Sequence, residues 1–152
     1  MDGNKIIANN KVAYHNYFIS DIHEAGISLQ GSEVKSIRDG GISILGSYII
    51  IENNELYLKN AFIKPFEKAS NYIPDSRRNR KLLLNKDEIL KYEKKVKEKG
   101  FTLVPLKVYL KRGLVKVEIG LGEGKQLHNK KQDMIEKTAK REIDRAMKVN
   151  FK

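Results

Sequence analysis

The first half of the chain has short apolar stretches separated by polar, turn-forming residues. Residues 14–30 alternate apolar and polar side chains and predict a β-strand. The stretches 48–51 and 56–58 flank a Glu-Asn-Asn-Glu turn, and Asn tolerates the positive φ of a tight hairpin. Residues 61–63 predict another short strand, because Pro65 stops the pattern soon after it.

Two segments have apolar residues at helical spacing. Ser32 is predicted to cap a short helix over residues 33–38. Asn85 is predicted to cap a longer helix, with Glu88 completing a capping box three residues later. Gly100 stands where a glycine commonly follows the last helical turn.

The second half of the chain predicts a loop and a final hairpin. Residues 67–80 are polar and aperiodic and are expected to form a mobile loop. Residues 101–110 and 114–121 predict two strands, and apolar residues occupy alternate positions of the second. Pro105 places part of the first of these strands at a sheet edge or a bulge.

This order of elements predicts a mostly β, α+β fold: a small antiparallel OB-type Greek-key barrel with flanking helices. The barrel domain is expected to span residues 1–122, followed by a basic C-terminal tail over 123–152. In the tail, Ile135, Ala139 and Ile143 form a thin apolar stripe, which predicts a segment that is disordered alone and helical on a partner. Three glycines near the boundary are expected to permit a hinge: Gly120, Gly122 and Gly124.

The charge of the sequence indicates a class of binding partner. The 152 residues include 30 Lys and Arg but 19 Asp and Glu, which gives a net charge of +11. Residues 77–99 alone hold 10 basic and 4 acidic side chains. Such a balance favours a polyanionic partner. No apolar stretch approaches the length of a membrane helix and no signal peptide is recognisable, so we expect a cytoplasmic protein without a membrane partner.

The sequence shows no motif that is typical of a catalytic site or a metal site. Cysteine is absent, which excludes disulfides, thiolate zinc ligands and a cysteine nucleophile. The glycines of residues 120–125 do not match a phosphate-binding loop or a dinucleotide fingerprint. The histidines lack metal-ligand spacing, so we expect no metal, no cofactor and no catalytic residue. A nuclease using the carboxylates Glu24, Glu33 and Asp39 is an alternative, but no nucleophile accompanies them.

The arginine cluster at residues 77–80 is the clearest local signal for nucleic-acid binding. Arg77, Arg78 and Arg80 offer planar guanidinium groups that suit phosphates. Tyr14 and Phe18 add aromatic rings that either stack on exposed bases or pack in the core.

Five segments, in order along nearly the whole chain, together carry a family resemblance. They are IIANNKVAYHNYFI at 6–19, EAGISLQGSEVKSIRDG at 24–40, SRRNRKLLLN at 76–85, VKEKGFTLVPLKVYLKRGLVKVEIGLGEGKQLHNKKQD at 96–133 and KREIDRAMK at 140–148. This sequence resembles the small protein B family, the transfer-messenger RNA (SsrA) binding proteins of bacteria.

The resemblance implies an RNA-binding adaptor on an OB-type barrel. The adaptor is expected to bind the tRNA-like domain of transfer-messenger RNA as a monomer and to deliver that RNA to stalled ribosomes for trans-translation. Its tail is expected to occupy the small-subunit decoding centre and the empty mRNA channel and to become helical there. The resemblance implies no catalysis and no cofactor.

The matched motifs assign roles to individual residues. Asn10, Glu24, Leu83 and Lys116 correspond to residues of the family's RNA-binding face. Together with residues of the same blocks and the arginine cluster, the expected RNA-binding set is Asn10, Tyr17, Glu24, Lys35, Arg38, Arg77, Arg78, Arg80, Leu83 and Lys116. The expected decoding-centre and mRNA-channel set is Gly124, Lys125, His128, Lys130, Lys131, Lys137, Lys140, Arg141 and Arg145.

Two departures from the family pattern alter these expectations. Asn129-Lys130-Lys131 replaces the usual Asp-Lys-Arg, which removes a planar guanidinium from the tail element. Val12 replaces a common basic residue and removes one expected phosphate contact. The alternatives within RNA binding are a general single-stranded RNA-binding barrel and a ribosome-associated protein without a dedicated RNA.

Overall fold

The computed structural model describes residues 5–66, 74–125 and 130–149. For residues 130–136 it describes the backbone alone. Within these ranges the chain forms nine strands and four helices. The strands are β1 Lys5–Asn9, β2 Tyr17–Ile27, β3 Ile42–Ser43, β4 Tyr48–Glu52, β5 Glu55–Lys59, β6 Phe62–Ile63, β7 Arg80–Leu83, β8 Thr102–Lys111 and β9 Leu114–Gly124. The helices are α1 Ala13–Asn16, α2 Gly31–Arg38, α3 Lys86–Lys99 and α4 Lys130–Met147.

Antiparallel pairing closes the main sheet into a barrel. The strand order is β1-β8-β4-β5-β7-β2-β9, and β9 pairs back with β8. Because β2 lies beside β7 instead of β4, the strands β2, β4, β5 and β7 follow a Greek-key order. The predicted fold class, mostly antiparallel β with flanking helices, is confirmed.

The barrel interior holds one large apolar cluster. Leu56, Leu82, Val108 and Ile119 are among the side chains of this cluster that are shielded from solvent. The helix α3 covers it with one face, from which Tyr92 is buried. Burying these side chains supplies most of the stabilisation of the fold, since each contributes about 1.5–3 kcal/mol.

The strand predicted over residues 14–30 starts later than expected, because a one-turn helix packs on a second, small apolar cluster at its beginning. Ala13 packs with Val104 and Leu106, and Tyr17 and Ile19 pack against them. The backbone of residues 13–16 forms the one-turn helix α1, which buries Ala13, so the predicted strand begins only at Tyr17. Local alternation could not reveal this, because the packing partners lie on β8.

The first helix begins at a different cap from the predicted one, whereas Asn85 caps the longer helix as predicted but without the expected capping box. The helix α2 begins at Gly31, and the side chain of Glu33 accepts a hydrogen bond from the N–H of Gln30 at 2.9 Å. The predicted cap at Ser32 is therefore wrong by two residues. Asn85 does precede α3, but its amide donates to the side chain of Glu88 at 3.3 Å, so the predicted capping box is wrong. Gly100 ends α3 in the left-handed conformation, as predicted.

The final hairpin is longer than predicted, and the three glycines expected to permit a hinge lie within its last strand. Strand β9 continues to Gly124, which pairs with Tyr17 on β2. The predicted domain boundary at residue 122 therefore lies inside a strand. A Cβ on Gly122 would lie 2.9 Å from the Tyr17 ring and 2.9 Å from Val104. This glycine thus permits close packing, which a hinge would disrupt.

The tail helix α4 lies beside the short strand β3, which pairs with β6 in a separate two-stranded sheet. Ala146 is only 2% exposed, and the Lys64 ammonium donates to the carbonyl of Val149 at 2.5 Å. The Ala139 methyl lies 3.4 Å from the position that a Cβ on Gly46 would take. That the tail is disordered alone and helical on a partner stays a prediction. Of the predicted mobile loop at 67–80, residues 67–73 lie outside the described residues.

Candidate nucleic-acid interface

The sheet brings three residues assigned by the family resemblance, Glu24, Leu83 and Lys116, onto one face, where Leu83 and Lys116 form a row across β2. On β2, Gly26 pairs with Leu83 of β7 on one side and with Lys116 of β9 on the other. Glu24 lies two positions from Gly26, so its side chain shares the same face of the sheet. Paired residues of antiparallel strands have Cβ atoms about 4.5–5.5 Å apart. Leu83 is 50% exposed, so the row faces solvent.

Two residues that the sequence did not single out hold the Glu24 carboxylate. The Tyr109 hydroxyl donates a hydrogen bond to its Oε1 atom at 2.5 Å, and the Lys111 ammonium lies 3.4 Å from the same atom. The Tyr109 hydrogen bond and the Lys111 charge lower the pKa of Glu24 below its ordinary value of 4.5. Glu24 is therefore a fixed anionic acceptor. We call the five residues Glu24, Leu83, Tyr109, Lys111 and Lys116 the Glu24 cluster.

Arg38 extends this surface, whereas Lys35 lies in other surroundings. The Arg38 guanidinium is exposed and donates to the carbonyl of Gly113, in the turn between β8 and β9 that follows Lys111. Lys35, also on α2, places its ammonium 5.6 Å from the centroid of the Phe66 ring.

The arginine cluster is divided between the surface and the interior. Arg80 is 0% exposed, and its guanidinium lies 2.7 Å from the carboxylate of Glu33. Arg78 lies 2.5 Å from the other oxygen of Glu33. Arg77 is exposed, with its guanidinium 5.5 Å from the centroid of the Phe62 ring. The prediction that Arg80 offers its guanidinium to phosphate is corrected, because burial against Glu33 withdraws that group from solvent.

Burial and charge act in opposite directions on Glu33. Burial raises the pKa of the Glu33 carboxyl, but hydrogen bonds from Arg78 and the Gln30 N–H and the charge of Arg80 lower it more. The net effect is a pKa below the ordinary value of 4.5. Glu33 therefore remains an anion that fixes two arginines and joins α2 to the start of β7 and to the segment before it.

Asn10 and Tyr17 lie away from the Glu24 cluster. The Asn10 amide donates to the carbonyl of Pro105 at 2.8 Å. Both residues line an open cavity of about 220 Å³ whose rim includes Tyr48. The Tyr17 ring packs on Gly122, so its face is engaged within the fold. The structure thus places the expected RNA-binding residues in more than one region of the surface.

The described part of the tail presents cations to solvent. Lys125 follows Gly124 at the end of β9, and its ammonium lies 4.9 Å from the centroid of the Phe18 ring. His128 lies outside the described residues, as do the side chains of Lys130 and Lys131. On α4 four predicted contact residues lie at least partly at the surface: Lys137, Lys140, Arg141 and Arg145.

No group of three or more His, Cys, Asp or Glu side chains in residues 5–66, 74–125 and 137–149 is placed to hold a metal ion. Among the helices that the structure describes, none is long and apolar enough to cross a membrane.

Comparisons with known proteins identify the family of this chain. A family model described as SmpB protein matches residues 7–149. The chain belongs to the SmpB family. The SsrA-binding protein of Thermoanaerobacter pseudethanolicus is 51% identical over 144 residues, which cover 95% of this chain and 92% of that protein. The SsrA-binding protein of Persephonella marina is 49% identical, with 99% of each chain covered.

A solved structure extends the SmpB relationship from sequence to fold. It is described as "tmRNA-SmpB: a journey to the center of the bacterial ribosome" and contains a chain that is 45% identical to this one. The two chains superpose with a TM-score of 0.64 over 91% of this chain and 94% of the other.

Proposed function

We propose that this protein binds the tRNA-like domain of transfer-messenger RNA and delivers it to stalled ribosomes for trans-translation. The observation that carries the proposal is the Glu24 cluster, in a chain about half identical to proteins named for SsrA binding. Three of the four residues that the family resemblance assigns to RNA meet there although they come from distant parts of the sequence.

The cluster has the chemistry for recognising a folded RNA. Lys116 and Lys111 supply ammonium groups for phosphates, and Leu83 offers an exposed apolar surface to a ribose or a base. Glu24 accepts hydrogen bonds from exocyclic amino groups or 2′-hydroxyls, which gives selectivity that cations alone lack. A closed barrel holds these groups rigidly, which suits recognition of shape.

The tail supplies the second half of the proposed role. We propose that residues 126–152 enter the decoding centre and the empty mRNA channel, with the surface cations of α4 facing ribosomal RNA. The conformational entropy that such a segment loses on ordering is then lost only in the productive complex. In this role the protein is a monomeric cytoplasmic adaptor, and the ribosome and the RNA carry out the chemistry.

The proposal is tested by comparing RNAs of similar size and charge. The purified protein is titrated with a transcribed tRNA-like domain, an elongator tRNA and a single-stranded RNA of the same length at one fixed salt concentration. We expect tighter binding to the tRNA-like domain by at least about tenfold, within the range that separates specific from non-specific nucleic-acid binding. Equal affinity for all three RNAs would overturn the proposal and favour a general single-stranded RNA-binding barrel.

A further inference from the structure

Phe18 is a large aromatic residue that the fold leaves at the surface. It is 62% exposed, whereas its neighbours Tyr17 and Ile19 pack on the second apolar cluster. It lies on β2 opposite Glu123, close to the point where β9 ends. The hydrophobic interior therefore does not account for its position.

A cation lies beside this ring. The Lys125 ammonium is 4.9 Å from the centroid of Phe18, and it also donates to the carbonyl of Tyr14 at 3.0 Å. Tyr14 itself is 55% exposed. An open aromatic ring next to an ammonium is the pair of groups that proteins use to bind a single-stranded nucleotide, since the ring stacks on the base and the cation binds the phosphate.

We propose that Phe18 and Lys125 form a second RNA site, which holds one unstacked nucleotide at the start of the tail. The base lies on the Phe18 ring, and the Lys125 ammonium moves to the adjoining phosphate. The site is separate from the Glu24 cluster, since the strand between Phe18 and Glu24 spans about 20 Å. This inference rests on the proposed function, because it assumes an RNA partner.

Two RNAs can supply such a nucleotide. One is the tRNA-like domain, and the other is the small-subunit RNA around the decoding centre, where the tail is proposed to enter. Stacking on an aromatic ring accepts any base, so the site identifies the chemistry of the ligand and not its source. The experiment therefore treats the two RNAs as separate arms.

The natural chain contains no tryptophan, so Phe18→Trp introduces a unique fluorophore at the site. Leu90→Trp, at a position on α3 that is 46% exposed, is the matched control. Each variant is titrated with the transcribed tRNA-like domain and, separately, with purified small ribosomal subunits. We expect one of the two RNAs to quench the indole emission of the Phe18→Trp variant and to protect that indole from iodide. The indole of the Leu90→Trp variant should stay accessible to iodide with either RNA.

Affinity measurements then separate stacking from proximity. Phe18→Leu keeps an apolar side chain but removes the ring, and we expect it to weaken binding to the same RNA about tenfold. Phe18→Tyr keeps the ring and should retain the natural affinity within about twofold. Thermal melting of each variant checks folding, which an exposed side chain should barely affect.

The inference is overturned if Phe18→Leu binds both RNAs as the natural chain does, whatever the emission of the Phe18→Trp variant. It is also overturned if Phe18→Tyr loses as much affinity as Phe18→Leu. Failure of the proposed function has a different signature, because the natural protein would then fail to prefer the tRNA-like domain.

Discussion

Individual carboxylates in this protein have two different roles. Glu24 is held at the barrel surface by Tyr109 and Lys111, where it can accept a hydrogen bond from a partner. Glu33 is buried and neutralised by Arg78 and Arg80. Residue type alone does not distinguish these roles, since both glutamates occur in segments of similar composition.

The first prediction concerns Glu24. Glu24→Ala should weaken binding to the tRNA-like domain about tenfold, because it removes a fixed acceptor, while the free energy of unfolding changes by only about 0.5 kcal/mol. Filter binding and thermal melting measure the two effects. Glu52→Ala, on the β4–β5 hairpin, is the control for charge and should bind slightly tighter or unchanged. Tighter binding by Glu24→Ala would show that this carboxylate only repels phosphate.

The second prediction concerns the buried pair of Arg80 and Glu33. Arg80→Ala should destabilise the fold by about 3–5 kcal/mol, because it removes the buried one of the two arginines that neutralise Glu33. Arg77→Ala, at the surface, should cost far less. Urea denaturation measures both variants, and equal small losses would contradict the buried role of Arg80.

The same pair predicts a dependence of stability on pH. Because the pKa of Glu33 is lower in the folded chain than its ordinary value of 4.5, its contribution is complete above pH 4.5. The contribution should decline as the pH falls from 4.5 through the folded pKa. Glu33→Gln should reduce this acid sensitivity relative to the natural chain when urea midpoints are compared at neutral pH and below the ordinary pKa of glutamate.

At the scale of elements, local patterns predicted those parts of the fold that depend on local forces. The hairpin around Asn53 and Asn54 and the end of α3 at Gly100 follow from backbone preferences of single residues, and both are present. The helix α1 and the burial of Arg80 depend on partners far along the chain. No window of neighbouring residues contains that information, so the pattern of residues 77–80 suggested a solvent-exposed site.

The same limit applies to the candidate site. The family resemblance supplied Glu24, Leu83 and Lys116, but periodicity could not show that strand register places them together. Tyr109 and Lys111 were missed because a tyrosine and a lysine on an alternating strand carry no functional signal. Their roles emerge only when β8 is placed near β2 by way of β9.

The third prediction tests the role of a glycine in β9. Gly122→Ala should destabilise the fold by about 1–3 kcal/mol, because the added Cβ would lie 2.9 Å from Tyr17 and Val104. Gly124→Ala is the control, since a Cβ there meets nothing within 4 Å. Thermal melting compares the two. Equal stability would support the hinge that the sequence predicted and contradict the close packing seen here.

At the scale of the whole molecule, the net charge of +11 sets how RNA affinity responds to salt. If about six phosphates are neutralised, the slope of log affinity against log salt concentration should be near −4 to −5. Arg77→Ala should make this slope shallower by up to about one unit, whereas Arg80 is buried and contributes no phosphate contact in the folded chain. A slope near zero would remove the electrostatic basis of the interface.

We expect the barrel to bind the tRNA-like domain and the tail to be needed for tagging on the ribosome. Neither apolar cluster of the described residues includes a side chain from α4, so a chain ending at Lys125 should still fold. It keeps the Glu24 cluster and the Phe18 site and should bind the tRNA-like domain within about threefold of the full chain, since the retained cations carry most phosphate contacts. It should fail to support peptide tagging on stalled ribosomes, because nothing would enter the mRNA channel.

Matched controls decide whether the sequence of the tail or only its charge is needed. A full-length chain with residues 126–152 scrambled keeps the composition but loses the apolar stripe of α4, and it should also fail in tagging. Gel shifts and a reconstituted tagging assay measure the two activities separately. Loss of RNA binding in step with tagging would place the tail within the RNA site. Normal tagging by the shortened chain would leave α4 without the role proposed for it. Its contacts beside β3 and Gly46 would then serve the fold and not the ribosome.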